Sequence, residues 1–97
     1  MMSEHNEKIL KNAYNKLNRN NKRYLLSLSN QLLINKMPEL YKCYDSNLKG
    51  YLKALKDCNW INEEERSVLE YYFKNDCQIK LQEFKPEQRY IIINNEE

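Results

Sequence analysis

The chain has 97 residues, of which 41% are hydrophobic and 31% charged, with 16 Lys+Arg against 14 Asp+Glu. That length holds one domain and one hydrophobic core, and a formal net charge of +2 is too small to argue for a partner by itself. A single glycine, Gly50, excludes Gly-rich phosphate loops of the Walker A and dinucleotide-binding kinds, and a single histidine, His5, leaves little for His-based triads, zinc hydrolase sites or facial metal triads.

An enzyme is therefore not expected, and neither a cofactor nor a metal. Acid pairs such as Glu63/Glu64 exist, but they fall in the first turn of a helix without a His or a ligand cluster beside them. Cys43, Cys58 and Cys77 are an odd number at wide spacings with no C-x-x-C pair, so the reading is buried free thiols. The apolar runs are far shorter than the roughly 18 to 20 residues that cross a bilayer. The first ten residues include Glu4 and Glu7 and lack the apolar stretch of a signal peptide. A cytoplasmic protein without membrane contact is expected.

In chain order, the spacing first predicts a helix over residues 3–18. Ile9, Leu10, Ala13, Tyr14 and Leu17 form one face, Ser3 is the cap, and Lys8, Lys11, Asn12, Asn15 and Lys16 lie opposite. The polar stretch 18–21 breaks it and caps a second helix over 21–36, whose stripe is Tyr24, Leu25, Leu28, Leu32 and Leu33. Pro38 ends that helix and suits the first position of a short helical turn over 39–44. Asp45 or Ser46 then caps a third helix reaching Asp57, with Leu48, Tyr51, Leu52 and Leu55 inward. Gly50 inside it costs up to ~1 kcal/mol relative to Ala, for which a close packing contact is the ordinary reason.

Trp60 and Ile61 read as apolar anchors of the next turn, with Trp60 fixing the angle between two helices. Asn62 and Glu65 have capping-box spacing, and Glu63, Glu64 and Glu65 suit the positive end of a fourth helix running to Lys74. Val68, Leu69, Tyr72 and Phe73 point inward there. After residue 76 the period changes to 2: Cys77, Ile79 and Leu81 alternate with Gln78, Lys80 and Gln82. Residues 85–88 read as a turn and 89–93 as a β-branched strand, so a β-hairpin is predicted. Residues 94–97 are expected to be disordered.

The predicted fold class is mainly α with a C-terminal β-hairpin, a winged helix-turn-helix with an extra N-terminal helix. It is one domain: residues 1–20 the added helix, 21–75 the helical core, and 77–93 the wing. Recognition helices usually set their N-terminal residues against base edges, and here that end carries three glutamates. Residues 57–76 hold six acids against Arg66 and Lys74. Residues 1–24 instead hold Lys8, Lys11, Lys16, Arg19, Lys22 and Arg23 against two acids, and residues 36–56 hold five lysines against two acids. Such polarity steers a phosphate backbone onto one face, although a solvated helix face looks the same.

The basic stretch Lys8 to Arg23, the acidic Asn62-Glu63-Glu64-Glu65 start, and the polar segment Gln78 to Arg89 resemble the TcpK family of relaxosome accessory proteins from clostridial conjugative plasmids. The resemblance spans most of the chain and rests on architecture, charge layout and the composition of an AT-rich genome, without a diagnostic short motif. It implies a dimeric, sequence-specific protein that binds double-stranded DNA at an origin of transfer, alongside other plasmid-transfer proteins. Contact would come from the first helix and the wing, here Lys8, Asn12, Asn15, Arg19, Lys80, Lys85, Gln88 and Arg89. The alternative is a small helical protein-interaction module, a phage or plasmid regulator or an inhibitor of a host protein. The acidic fourth helix and eight tyrosines point that way, since tyrosine offers apolar area with a polar tip.

Overall fold

The computed structural model describes residues 2–95, and all of its regular structure is helical. In chain order the elements are α1 (Glu4–Lys16), α2 (Arg19–Ile34), α3 (Pro38–Asp57), α4 (Glu63–Tyr71), a π-helical turn (Tyr72–Asp76), α5 (Cys77–Gln82) and α6 (Pro86–Asn95). No strand occurs among the described residues. The predicted β-hairpin, and with it the winged helix-turn-helix, is thus corrected to an all-helical bundle. Glu96 and Glu97, included in the expected disordered tail, lie outside the described residues, while Asn94 and Asn95 close α6.

The first two helices form where capping chemistry places them. The Ser3 hydroxyl accepts from the Asn6 N–H. The Asn18 side chain accepts from the Asn21 N–H while the Asn21 side chain returns the bond, a capping box that starts α2 two residues before the expected position. Pro38 opens α3 at its first turn, as predicted, but the helix runs unbroken to Asp57. Asp45 and Ser46 are therefore interior residues and not caps. The Asp45 carboxylate is held instead by Lys49 at 2.9 Å and by Lys74 at 2.8 Å. Gly50 is exposed, and a Cβ built on it would meet nothing within 4 Å. The expected packing contact is absent, and nothing in the structure explains this glycine.

The helix α3 ends in a Schellman turn. Asn59 takes the left-handed conformation at φ 63°, Trp60 N–H donates to the Leu55 carbonyl, and Asn59 N–H donates to that of Lys56. The turn buries Ile61 and leaves Trp60 51% exposed, so Trp60 is not the core anchor predicted for it. Asn62 and Glu65 then make the expected capping box in full.

The α4 helix, the π-turn and α5 follow one another without leaving helical backbone angles. Leu69, Phe73, Cys77 and Leu81 are all buried at four-residue steps. Each such step drifts by about 40° around a regular α-helix. The longer period of the π-turn takes up part of that drift and keeps the four side chains in one stripe. Its Phe73 carbonyl accepts from the buried Ser29 hydroxyl of α2, and Gln78 donates back to the Ser29 carbonyl. Alternation alone puts Cys77 and Leu81 on a strand face, but they are also one helical turn apart. Six alternating residues do not distinguish the two readings, and continuation from a packed helix decides between them.

Residues 85–88 start a helix for a local reason. Pro86 takes the first helical position, the Lys85 N–H donates to the Gln88 side chain, and the Arg89 N–H donates to the Lys85 carbonyl. Arg89 also donates to the Leu81 carbonyl at 2.7 Å, which ties α6 to the end of α5.

The α2 helix is central, packing on α3, the π-turn, α5 and α6, while α1 packs mainly on α4. Leu25, Leu48, Leu52, Leu69 and Phe73 form the fully buried centre. Cys77 is a buried thiol as expected, whereas Cys43 and Cys58 are exposed. No helix among the described residues is long and apolar enough to cross a membrane.

The Asp45 site gives stability a pH dependence. Burial raises the Asp45 pKa, but the hydrogen bonds and charges of Lys74 and Lys49 outweigh it and hold the carboxyl below its ordinary value. Lys74 is raised in turn, chiefly by its hydrogen bond to Asp45. The Asp45 contribution is present above the unfolded carboxyl pKa and is lost as pH falls through the lower folded one; that of Lys74 is lost only as pH rises past its raised value. Asp45→Asn is expected to melt below wild type at neutral pH, and the gap to close as pH falls below the ordinary aspartate pKa of about 3.9. Thermal melts by circular dichroism at five pH values check this.

Candidate nucleic-acid interface

The outward side of α1 is built from residues at helical spacing opposite Ala13 and Leu17, which are buried. Lys8, Lys11, Asn12 and Asn15 are all exposed there, and Arg19 is exposed at the start of α2. Among the described residues no hydrogen bond or ion pair holds Lys8, Lys11 or Arg19. Two other bases of the N-terminal block are used internally. Lys16 turns inward to Glu65, 2.7 Å away, and Arg23 donates to the Asn94 side chain of α6 at 3.2 Å.

One edge of this face meets the π-turn and α5 in an open groove of about 270 Å³, where Glu7, Lys11, Tyr14 and Asn15 of α1 face Tyr72 and Lys80. The Tyr14 and Tyr72 rings stand edge to face, with centroids 6.3 Å apart and planes at 73°. Lys22 Nζ lies 4.8 Å from the Tyr14 ring centre, and Lys80 Nζ lies 5.5 Å from that of Tyr72. Tyr72 packs edge to face on buried Phe73 at 5.0 Å, which fixes its ring from behind. An adjoining groove continues past Tyr14, Tyr72 and Lys80 to Phe84 and Ile92.

The structure brings together Asn15 and Lys80 of the predicted contact set, and places Lys8 and Asn12 on the same helix face. It does not bring the rest into a wing. Lys85 is exposed between α5 and α6, but Gln88 caps α6 and Arg89 holds a backbone carbonyl. Sequence reasoning left Lys11 and Lys22 out of the contact set and placed Tyr14 and Tyr72 in the core. Both rings are only half-buried. Helical spacing alone gave no signal of this, because an aromatic at an inward position looks the same whether a neighbouring helix covers it or stops short.

Several acids of the acidic block are paired, but Arg66 already counts in its charge balance and Lys74 is drawn to Asp45, so this surface still repels phosphates. Arg66 bonds Glu63 and Glu70, Glu65 meets Lys16, and His5 lies 4.0 Å from Glu64. The hydrogen bond from Arg66 holds the Glu63 carboxyl below the usual carboxylate range. A second basic strip runs along α3 through exposed Lys42, Lys49 and Lys53, with Lys49 engaged by Asp45. Among the described residues no group of three or more His, Cys, Asp or Glu is arranged to hold a metal ion. No family model, curated protein or solved structure matches this chain.

Proposed function

We propose that this protein is a non-enzymatic, cytoplasmic DNA-binding protein that holds double-stranded DNA through the exposed face of α1 and Lys80 of α5. The observation that carries the reading is the conjunction on one face of Lys8, Lys11 and Lys80 with the amides Asn12 and Asn15. Lysines of this kind neutralise phosphates and set register, while amides at the same surface are suited to base edges. The role in a mobile element, at an origin of transfer and as a homodimer, is carried by the resemblance to relaxosome accessory proteins. Of that resemblance, the charge layout of the N-terminal helix remains as support and the wing does not.

The test is fluorescence anisotropy of the protein on duplex fragments from its own genetic neighbourhood, across a salt series. Lys8→Ala with Lys11→Ala is expected to weaken binding and to reduce the slope of log affinity against log salt by about 1.8, at ~0.9 per phosphate contact. Lys42→Ala with Lys53→Ala on α3 is expected to leave both unchanged. The reverse pattern would move the interface to α3. Absence of binding at low salt by protein that is folded by circular dichroism would end the DNA reading. It would favour a protein partner, for which the α6 surface speaks, with Tyr90 70% and Ile91 57% exposed on a helix that buries no residue.

A further inference from the structure

We propose that the groove between α1 and the π-turn accepts an unpaired nucleotide of a DNA strand, with its base against Tyr14 and Tyr72 and its phosphates on Lys11 and Lys80. The proposal rests on the DNA-binding reading and adds to it the state of the strand that is bound.

Two rings from different helices line one concave surface, and each carries an ammonium group near its face. A lysine over an exposed ring is worth roughly 0.5–1 kcal/mol. A base stacked on an aromatic side chain is worth roughly 1–3 kcal/mol. A base entering the groove therefore displaces the weaker contact by the stronger one, and the released ammonium meets the phosphate that arrives with the base. In free protein Lys80 lies over the Tyr72 ring, and in the complex it would hold the backbone.

The remaining groove groups are polar in a useful way. Asn15 has both a donor and an acceptor for a base edge, and Glu7 accepts from an exocyclic amine, or from the N3–H of thymine or uracil, while repelling phosphate. Together they turn the base toward Glu7 and the backbone toward the lysines. A paired base cannot use this site, because its faces are covered by its neighbours in the stack and half-buried rings do not reach between them. Tyr72 is also held in place by Phe73, so its ring needs little further ordering on binding.

The experiment compares a hairpin duplex with the same duplex carrying one unpaired thymine in its stem, both labelled, by anisotropy at matched salt. A second oligonucleotide carrying one 5-iodouracil is photo-cross-linked and the adduct is mapped by mass spectrometry. The expected results are tighter binding of the duplex that carries the unpaired thymine, an adduct on Tyr14 or Tyr72, and a loss of about 5- to 150-fold in that binding in Tyr72→Leu. Tyr72→Phe, which keeps the ring, is expected to bind as wild type. If Tyr72→Leu does not fold, the adduct map decides. Equal binding of both forms with adducts elsewhere overturns this proposal and leaves the DNA reading intact. No binding of either form overturns the DNA reading itself.

Discussion

Phe73→Ala is expected to destabilise the protein by about 3–5 kcal/mol, the range for removing a large aromatic from a packed core. Phe73 is fully buried and lies at the centre of the α2, α4 and α5 contacts. The cavity would open inside the π-turn, whose geometry exists to keep Phe73 in line with Leu69 and Cys77. Helices on both sides would then have to shift for the cavity to close, which places the cost toward the upper end. Against a typical total of about 5–15 kcal/mol for a domain, that leaves little. Urea denaturation followed at 222 nm measures it, with Phe84→Ala as the comparison. Phe84 is 39% exposed, so its loss is expected to cost under about 1.5 kcal/mol. Similar values for the two variants would remove Phe73 from the centre of the core.

Glu65→Ala is expected to cost about 2–3 kcal/mol. Glu65 is 5% exposed, accepts from the Asn62 N–H at 2.9 Å, and receives Lys16 Nζ at 2.7 Å on one oxygen and 2.9 Å on the other. Loss of a cap bond is worth about 1 kcal/mol. The ion pair lies between the exposed case, at most about 1 kcal/mol, and the fully buried case of about 3–5 kcal/mol. Because Lys16 is half-exposed, water solvates it once its partner is gone, and the lower part of that range applies. Glu65→Gln keeps a capping side chain and removes only the charge, so it is expected to recover about 1 kcal/mol of the loss. A cycle of Glu65→Gln with Lys16→Met isolates the pair. Equal stabilities for the Ala and Gln variants would mean that the cap contributes nothing.

The starts of the first four helices were legible because their signals are local, although the cap expected at Asp45 or Ser46 falls inside the single helix α3. Ser3, Asn18 and Asn62 are caps within three residues of their partners, and Pro38 fixes a helix start by its ring. Residues 77–93 differ from the expected hairpin because two local signals point to β-structure. The alternation over 77–82 is short enough to fit a helix, and the three isoleucines 91–93 favour strands only where a neighbouring strand exists to pair with them. The helix-start signal was present in Pro86 and Gln88 and was read as a turn. For the site, the lysines of α1 were readable from spacing. The withdrawal of Lys16 and Arg23 was not, because their partners Glu65 and Asn94 lie 49 and 71 residues away in sequence. The exposure of Tyr14, Tyr72 and Trp60 is likewise set by where neighbouring helices end.

The attachment of α1 has a dynamic consequence. Its packing is mainly on α4, the Lys16–Glu65 pair pins its last turn, and its contacts beyond α4 include those of the Tyr14 ring with Tyr72 and Lys22. An element held along one seam opens as a unit at less than the global unfolding free energy. Amide protons of α1 should therefore exchange together and faster than those of α2 and α3. A strand lying in the groove would touch α1 on one side and the π-turn on the other, and so would bridge the seam along which the helix detaches. Bound DNA then acts as a clasp, and the slowing of exchange in α1 measures how much of the binding free energy is used to keep it closed.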